Sequence, residues 1–397
     1  MSVIVQKYGG SSLADIEKLK KISEMIAAVK KQGFDIVVVV SAMGKTTNSL
    51  IEMAREISAN PSSREMDMLL STGERTTMAL LCIALNELGV DAISLTGSQA
   101  GIITNDRHNE ARVIEVRPIR VQDELEKGKV VVIGGFQGVS YKRDITTLGR
   151  GGSDTSAVAL TAALNAERCE IYSDVDGVYT TDPNLVKEAK HLPEISYQQI
   201  QEMAEAGAKV LNAQAVQFAK EAKISLYARS TFNPGRETII KEVSNKELSG
   251  VRSVVYETEI VRVLVNNPSK IELAAHLLEE KQIAMKEFQF SALGKDSGYK
   301  SSFIISKKNI YDWEEVRDTL INKLKDDIDL NESFSTLSII GEGFSRSNTV
   351  LLETLKLLRD NNIEYYGVGT TSFRISILVE RDLLEEAVKV CHDYWIN

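Results

Sequence analysis

The sequence predicts an α/β protein, a three-layer αβα domain around a mainly parallel sheet followed by two smaller α+β modules. Three features point to it. Up to about residue 240, aliphatic runs of three to five residues alternate with longer amphipathic stretches, the pattern of strands buried on both faces between helices. Turns rich in glycine, serine and lysine follow several of these runs. From about Val251 the texture changes to a weak twofold repeat.

The elements read in order as follows. Residues 3–5 form a strand, 13–29 a helix and 36–40 a second strand; 78–88 continue as helix, 92–95 and 130–133 as strands, 155–164 as helix and 170–173 as strand. Residues 195–222 are a long helical region and 225–228 a last strand. In an open parallel sheet, ligands bind beyond the carboxyl ends of the strands, so the turns there are where chemistry is expected.

After the first strand comes Lys7-Tyr8-Gly9-Gly10-Ser11-Ser12. Two glycines let the backbone aim N–H groups at an anion, Ser11 or Ser12 can cap the next helix, and Lys7 adds a mobile positive charge. A plain strand-to-helix turn would look similar. The second run leads into Ser41-Ala42-Met43-Gly44-Lys45-Thr46-Thr47-Asn48; a Walker loop is rejected because its first glycine would fall at Val39. Ser71-Thr72-Gly73-Glu74 is expected to open a further helix, with Glu74 either a first-turn acid or a receiver of a ligand ammonium.

The densest signal is residues 146–156, where Gly149, Gly151 and Gly152 surround Arg150 ahead of Ser153, Asp154 and an alanine-rich helix. Closely spaced glycines permit backbone approach to phosphate, Arg150 offers a planar fork for a carboxylate, and Asp154 can hold lysines or a metal-bound nucleotide. Beyond the next strand, Ser173, Asp174, Asp176, Tyr179 and Asp182-Pro183 outline a nucleotide pocket with Tyr179 against a purine ring; calcium-loop spacing and its distal glutamate are absent. Lys209, with Val210 behind it, supplies a second lysine toward phosphates.

After Asn233-Pro234-Gly235 the repeat places a helix at 271–281, a strand at 303–306 and a helix at 313–324 in its first copy. The second copy has a strand at 336–341, a helix at 349–361, a strand at 374–380 and a helix at 383–392. A period near 75 residues in two copies is no solenoid. Modules of this kind expose strand edges that pair with a second copy, so dimerisation is expected.

Composition bounds the rest. The 397 residues carry 47 basic and 56 acidic side chains, a formal charge of -9, with a pI near 5.3; a reader of nucleic-acid backbones needs the opposite balance. Cys82, Cys169 and Cys391 are too scattered for a disulfide framework and fit a reducing, cytoplasmic compartment. The amino terminus lacks a basic lead and an apolar core of the export type, and no aliphatic run approaches the roughly 20 residues that cross a bilayer. A soluble protein without membrane partners is expected. The four histidines, His108, His191, His276 and His392, lie outside the glycine turns with no metal-ligand spacing and are read as structural.

Positioned cations and backbone donors around a glycine-lined anion site are what phosphoryl transfer between anionic partners requires. Together Lys7-Tyr-Gly-Gly-Ser-Ser, Val40-Ser-Ala-Met-Gly, Ser71-Thr-Gly-Glu, Gly134-Gly-Phe-Gln-Gly, Leu148-Gly-Arg-Gly-Gly-Ser-Asp, Ser173-Asp-Val-Asp-Gly-Val-Tyr-Thr-Thr-Asp-Pro and Lys209-Val-Leu resemble the aspartokinase family. They do so in family order across essentially the whole chain. The resemblance implies the amino acid kinase fold over residues 1–245 and two ferredoxin-like ACT regulatory modules, 251–334 and 335–397. It implies transfer of the ATP γ-phosphoryl to the β-carboxylate of L-aspartate with Mg²⁺ as helper, the first step toward lysine, threonine and methionine.

By the same resemblance, Lys7 stabilises the transferring phosphoryl and Asp154 orients the cationic groups. Arg150 grips the aspartate carboxylate and Glu74 its ammonium, with Ser41, Thr47 and Ser153 as further contacts. Lys7, Tyr8, Gly9, Gly10, Ser173, Asp174, Tyr179, Asp182, Lys209 and Val210 serve the nucleotide. No protein ligand to a metal is assigned. The acceptor carboxylate is already an anion, so no general base is needed.

Departures from the family pattern fall at Asn267-Pro268-Ser269-Lys270, Phe344-Ser345-Arg346-Ser347-Asn348 and Thr370-Thr371-Ser372-Phe373-Arg374, where effector contacts would lie. Feedback by lysine, threonine or diaminopimelate is therefore expected to be weaker than the family norm. Asn184 stands where an arginine is usual, beside the nucleotide, and Gln214 and Gln217 replace an arginine and a glutamate in positions read as packing. Two rival readings are a same-fold kinase for another amino acid and a non-catalytic amino acid sensor; the intact Lys7, Glu74, Arg150 and Asp154 oppose the second.

Overall fold

The computed structural model describes residues 2–149, 151–208, 211–233, 235–243, 250–281, 283–292, 299–310 and 313–397. The chain divides into two compact units. One comprises Met1–Tyr179, His191–Glu205 and Lys209–Ser244, and the other Thr180–Lys190, Ala206–Ala208 and Asn245–Asn397.

The first unit is built on an eight-stranded sheet in the order Glu194–Ser196, Glu237–Lys241, Leu226–Ser230, Arg168–Ser173, Val3–Tyr8, Asp35–Val40, Val130–Gly134 and Ala92–Leu95. Every neighbouring pair is parallel except Leu226–Ser230 with Glu237–Lys241. Asp35–Val40 has four consecutive valines because both of its faces are covered. Ile36, Val38 and Val40 join Leu19, Ile22 and Ile26 of the helix Ile16–Lys30 and Leu81 and Leu85 of the helix Ser63–Glu87 in one core. The helix Gly152–Ala163, which buries Ala157, Val158 and Leu160, packs against Val3–Tyr8 and Asp35–Val40. At about 25 cal/mol per Å² of buried apolar surface, each such aliphatic side chain contributes roughly 1.5–3 kcal/mol.

Ile16–Lys30 begins where the Asp15 side chain accepts a hydrogen bond from the Lys18 N–H at 2.8 Å, a cap that contributes about 1 kcal/mol. The expected serine cap is thereby corrected. Ser12 is instead buried and shares a 2.6 Å hydrogen bond with Thr231.

The expectation that Ser71 opens a helix is also corrected, because Ser71-Thr72-Gly73-Glu74 lies in the middle of the 25-residue helix Ser63–Glu87. A Cβ at Gly73 would stand 2.8 Å from the Ala42 Cβ, so this glycine permits close approach rather than marking a turn. By length and composition the helix could cross a bilayer, yet half of its most apolar stretch is buried and it carries Asp67 and Glu74 inward. A small second sheet, ordered Val113–Val116, Ile102–Thr104, Gln137–Ser140 and Ile145–Thr147, has too little apolar periodicity to be read from sequence.

The second unit contains two four-stranded sheets. One is ordered Gly250–Glu257, Phe334–Glu342, Arg374–Glu380 and Tyr365–Thr370; the other Lys286–Ala292, Tyr299–Ser306, Ile260–Val265 and Ile328–Asn331. Helices Ile271–Glu280 and Trp313–Leu324 supply residues to the core of the second sheet, and Thr349–Asp360 and Leu384–Ile396 to that of the first. The strands are not shared contiguously as 251–334 and 335–397. Gly250–Glu257 pairs antiparallel with Phe334–Glu342, giving that almost wholly buried strand a partner on the edge it would otherwise leave open.

Thr180–Lys190 is held within this second unit. Val186 enters its core, the Thr180 carbonyl accepts from the Val254 N–H at 2.7 Å, and Thr180 Oγ1 lies 2.9 Å from Nε2 of the fully buried His392. Burial lowers the pKa of His392.

Candidate active site

The turns that follow Val3–Tyr8, Asp35–Val40 and Val130–Gly134 converge at one end of the parallel sheet. Gly10 and Gly44 join the first two, the Gly44 N–H donating to the Gly10 carbonyl at 3.0 Å, and a Cβ at Gly10 would lie 2.8 Å from the Ala42 carbonyl oxygen. Gly135 serves the third turn, since a Cβ there would stand 2.8 Å from Val39 Cγ1 and 2.9 Å from Ser153 Cβ. Gly151 enters the helix Gly152–Ala163 in the left-handed region at φ 75°, which glycine tolerates without a Cβ penalty.

These approaches bring the first strand onto the start of that helix. Lys7 Nζ lies 2.7 Å from Asp154 Oδ1, with side chains 12% and 11% exposed, so the ion pair is screened from bulk water yet open enough to meet a ligand. Gly9 lies beside it, a Cβ at this position standing at ordinary contact distance, 3.6 Å, from Lys7 Nζ. The turn and the helix N-terminus present backbone donors and a partial positive charge to the same region.

Glu74 reaches this end of the sheet from the middle of its helix. Its Oε1 accepts from the Ala42 N–H at 3.0 Å, while Oε2 is buried without a hydrogen-bond partner among the described residues. Burial pushes the carboxyl up to about 8, against the weaker downward pull of backbone hydrogen bonds. An unpartnered buried carboxyl oxygen costs free energy that a ligand cation would recover.

Ser153 and Asp154 are buried in the first turn of their helix; Ser41 and Thr47 are half-buried in the second turn of chain and at the start of the helix Thr46–Ile57. Ser173 is half-buried at its strand end, where its carbonyl accepts from Thr231 N–H and Oγ1, and Asp174 is exposed. Arg150, Lys209 and Val210 lie outside the described residues.

Three sequence expectations change here. The Tyr8 side chain is buried and stacked on Tyr172 with centroids 4.7 Å apart, so Tyr8 offers the site only its backbone. Adjacent strand residues face opposite sides, and with Lys7 at the site Tyr8 must enter the core. Tyr179 is not a free platform for a purine, because its hydroxyl donates to Asp176 at 2.7 Å and its ring meets His191 edge-on at 5.5 Å. Asp182 sits in the second unit, accepting from the Tyr256 hydroxyl at 3.1 Å and from Asn184. Gln217 donates along its own helix to Glu221 at 2.7 Å, and the backbone N–H of the exposed Gln214 donates to the Asn212 cap at 2.9 Å.

Sequence reasoning quoted Gly135 within a motif without giving it a role, and missed Asp67. The latter lies seven residues, or two helical turns, before Glu74 on the same helix face and is wholly buried. Among the described residues no three His, Cys, Asp or Glu side chains group as a metal cage.

Gly135→Ala is expected to force the Ser153 turn away from Val39 and to cost about 1–3 kcal/mol by overpacking. Denaturant unfolding together with turnover would check it; full stability and activity would show that the turn yields freely.

The description of the amino acid kinase family matches residues 2–230. An aspartokinase of Bacillus sp. (strain MGA3) is 42% identical over 99% of this chain and 97% of its own length, and one of Geobacillus stearothermophilus is 40% identical over the same shares. In fold, the chain is similar to E. coli aspartokinase III solved with aspartate and ADP in its R-state, at a TM-score of 0.83 and 23% identity over 98% of this chain and 99% of that one.

Proposed function

The chain belongs to the aspartokinases of the amino acid kinase family, and from that membership we propose how its residues divide the work. It is an aspartate kinase, transferring the γ-phosphoryl of ATP to the β-carboxylate of L-aspartate to give 4-phospho-L-aspartate. The observation that carries the division of labour is the unpartnered buried Oε2 of Glu74 at the same end of the sheet as the Lys7–Asp154 pair. One group awaits a cation and the other an anion.

The acceptor carboxylate and the γ-phosphoryl are both anions, and their approach spreads further negative charge over the phosphoryl oxygens. Lys7 meets that charge, and Asp154 fixes the ammonium so that no reorganisation is needed as charge develops. Glu74 takes the aspartate ammonium and Arg150 its carboxylate, while Ser41, Thr47 and Ser153 complete the amino acid site. Gly10 gives the phosphates a close backbone approach, and Gly9 fixes the turn beside them, its N–H donating to the Tyr172 carbonyl at 3.1 Å. Ser173, Asp174, Tyr179, Lys209 and Val210 are assigned to the nucleotide by family resemblance.

The magnesium ion that the resemblance implies would be held together with the nucleotide. It retains waters and needs one or two carboxylates at most, which suits the exposed Asp174 and the Lys7-bound Asp154 better than a cage. Bound there, it would offset charge on the phosphate oxygens.

Residues 251–397 are read as paired ACT modules that take an amino acid effector. Supporting this, two of the three divergent segments line one cleft of about 350 Å³, with Phe344, Ser345 and Asn348 facing Thr370, Thr371 and Ser372. Edge strands Lys286–Ala292 and Tyr365–Thr370 carry half-exposed Phe288, Phe290, Tyr365 and Tyr366, which a second copy would cover in a homodimer. A cytoplasmic role at the head of lysine, threonine and methionine synthesis completes the reading.

A hydroxamate assay tests it. Product requiring both ATP and L-aspartate is expected, and no product with any amino acid carboxylate would sink the assignment. Titration of lysine, threonine and diaminopimelate into the same assay reads the effector, and strong inhibition by one of them would overturn the expected weak feedback.

A further inference from the structure

Asp67 has no part in the roles above, yet it is a wholly buried carboxylate on the helix that carries Glu74. It gathers three donors from two other segments. Oδ1 accepts from the Asn109 N–H at 2.9 Å and from Thr147 Oγ1 at 2.5 Å, and Oδ2 lies 2.6 Å from His108 Nδ1. Burial still raises its pKa, against the pull of all three partners.

The segments it joins are the flanks of the densest motif in the sequence. Thr147 stands two residues before Gly149, which takes φ 72°, and a Cβ at Gly149 would lie 3.5 Å from the Asn109 carbonyl oxygen. The Ala111 N–H donates to the Thr147 carbonyl at 2.8 Å, and Thr104 and Thr146 share a hydroxyl hydrogen bond of 2.6 Å. Asn109 itself adopts φ 67°, uncommon for a residue with a Cβ, and its N–H is one that Asp67 holds. A core that needed only filling would use an apolar side chain here, since a buried carboxylate costs free energy unless all its partners are in place.

We propose that Asp67 is a positioning residue for the amino acid acceptor, tying residues 108–109 and Thr147 together so that the chain up to Gly149, which precedes Arg150 and Asp154 in sequence, is held in one conformation. This rests on the assignment of those two residues under the proposed function. Asp67 itself touches neither substrate. Its effect should therefore fall on aspartate rather than on ATP.

The test uses the purified full chain in the ATP- and aspartate-dependent assay. Asp67→Asn keeps the shape but sets an amide against three donors, and misplacement of a substrate-gripping turn is worth about tenfold to a hundredfold. The expected result is a rise of that size in KM for aspartate with a fall in kcat, and KM for ATP changed by less than about threefold. Thr147→Val should move the same parameter in the same direction, and the double variant should lose little beyond Asp67→Asn alone, because contacting residues are not additive.

His108→Gln, which retains an N–H donor, should stay close to wild type, whereas His108→Ala should raise KM for aspartate. This pair decides the matter if Asp67→Asn does not fold. Folded variants with unchanged KM for aspartate, or with both KM values rising in proportion, would overturn the proposal. Absence of wild-type turnover would instead remove the functional reading on which it stands.

Discussion

Lys7→Ala is expected to lower kcat by at least about 10²–10³-fold, the loss found when a single preorganised donor to transition-state charge is removed. The fold should survive. Lys7 lies on a central strand between Asp35–Val40 and Arg168–Ser173, and its backbone pairing does not depend on the side chain. What the substitution removes is the ammonium 2.7 Å from Asp154, leaving a mostly buried carboxylate beside incoming phosphates. That turns a neutral pair into a net negative charge at the point where charge accumulates. Single-turnover rates with saturating ATP and aspartate, beside a thermal unfolding curve, separate the two effects. A near-wild-type kcat would contradict the role given to Lys7, and Lys7→Arg is not a fair control because its planar fork cannot replace a compact ammonium.

Glu74 gives the second large effect, in both pH and affinity. Its carboxyl sits near 8 in the substrate-free protein, so at neutral pH it is mostly protonated and cannot pair with an ammonium. The sign follows from linkage. A carboxyl raised above its ordinary value favours the substrate-free fold at low pH, and that contribution is lost as pH rises from about 4.5 through 8. Aspartate favours the ionised form, so its binding releases a proton below that value.

KM for aspartate should accordingly fall as pH rises from 6.5 to 8, by at most about tenfold per unit, and level off above. Glu74→Gln should abolish the dependence and raise KM by about 10²-fold, as expected when one partner of a buried charge pair is lost. KM measured at three pH values for both proteins checks this. A pH-independent wild-type KM would mean that the ammonium is bound elsewhere.

Much of the first unit was legible because its strands are buried on both faces and so must be written as unbroken aliphatic runs. The four valines of Asp35–Val40 need no tertiary knowledge to interpret. The glycine turns were legible for a related reason, since close backbone approach admits no Cβ. What failed were features in which one residue type serves two purposes. Gly73 reads as punctuation but permits helix Ser63–Glu87 to touch Ala42, and Tyr8 beside Lys7 reads as part of a site although strand alternation sends it into the core.

The strand Tyr365–Thr370 escaped notice because its two glycines blur the period of two, whereas Lys286–Ala292, which alternates Phe288 and Phe290 with polar residues, was legible and overlooked. Asp67 escaped because its partners at 108, 109 and 147 are distant in sequence. His108, read as merely structural, is one of them.

The docking of Thr180–Lys190 bears on where the chain can be cut. By family resemblance a kinase half ends near residue 230 to 245, and a truncated gene would naturally stop there. Val186 would then lose the core formed with Leu337, Ile377 and Val388, and Thr180 would lose both Val254 and His392. An internal stretch directly after Tyr179 would be left without its packing, with Val186 and its apolar neighbours open to water and to proteases. A gene segment that ends there would thus carry residues 180–190 without the core that packs them, and a chain assembled by exchanging the second unit should exchange residues 180–190 with it.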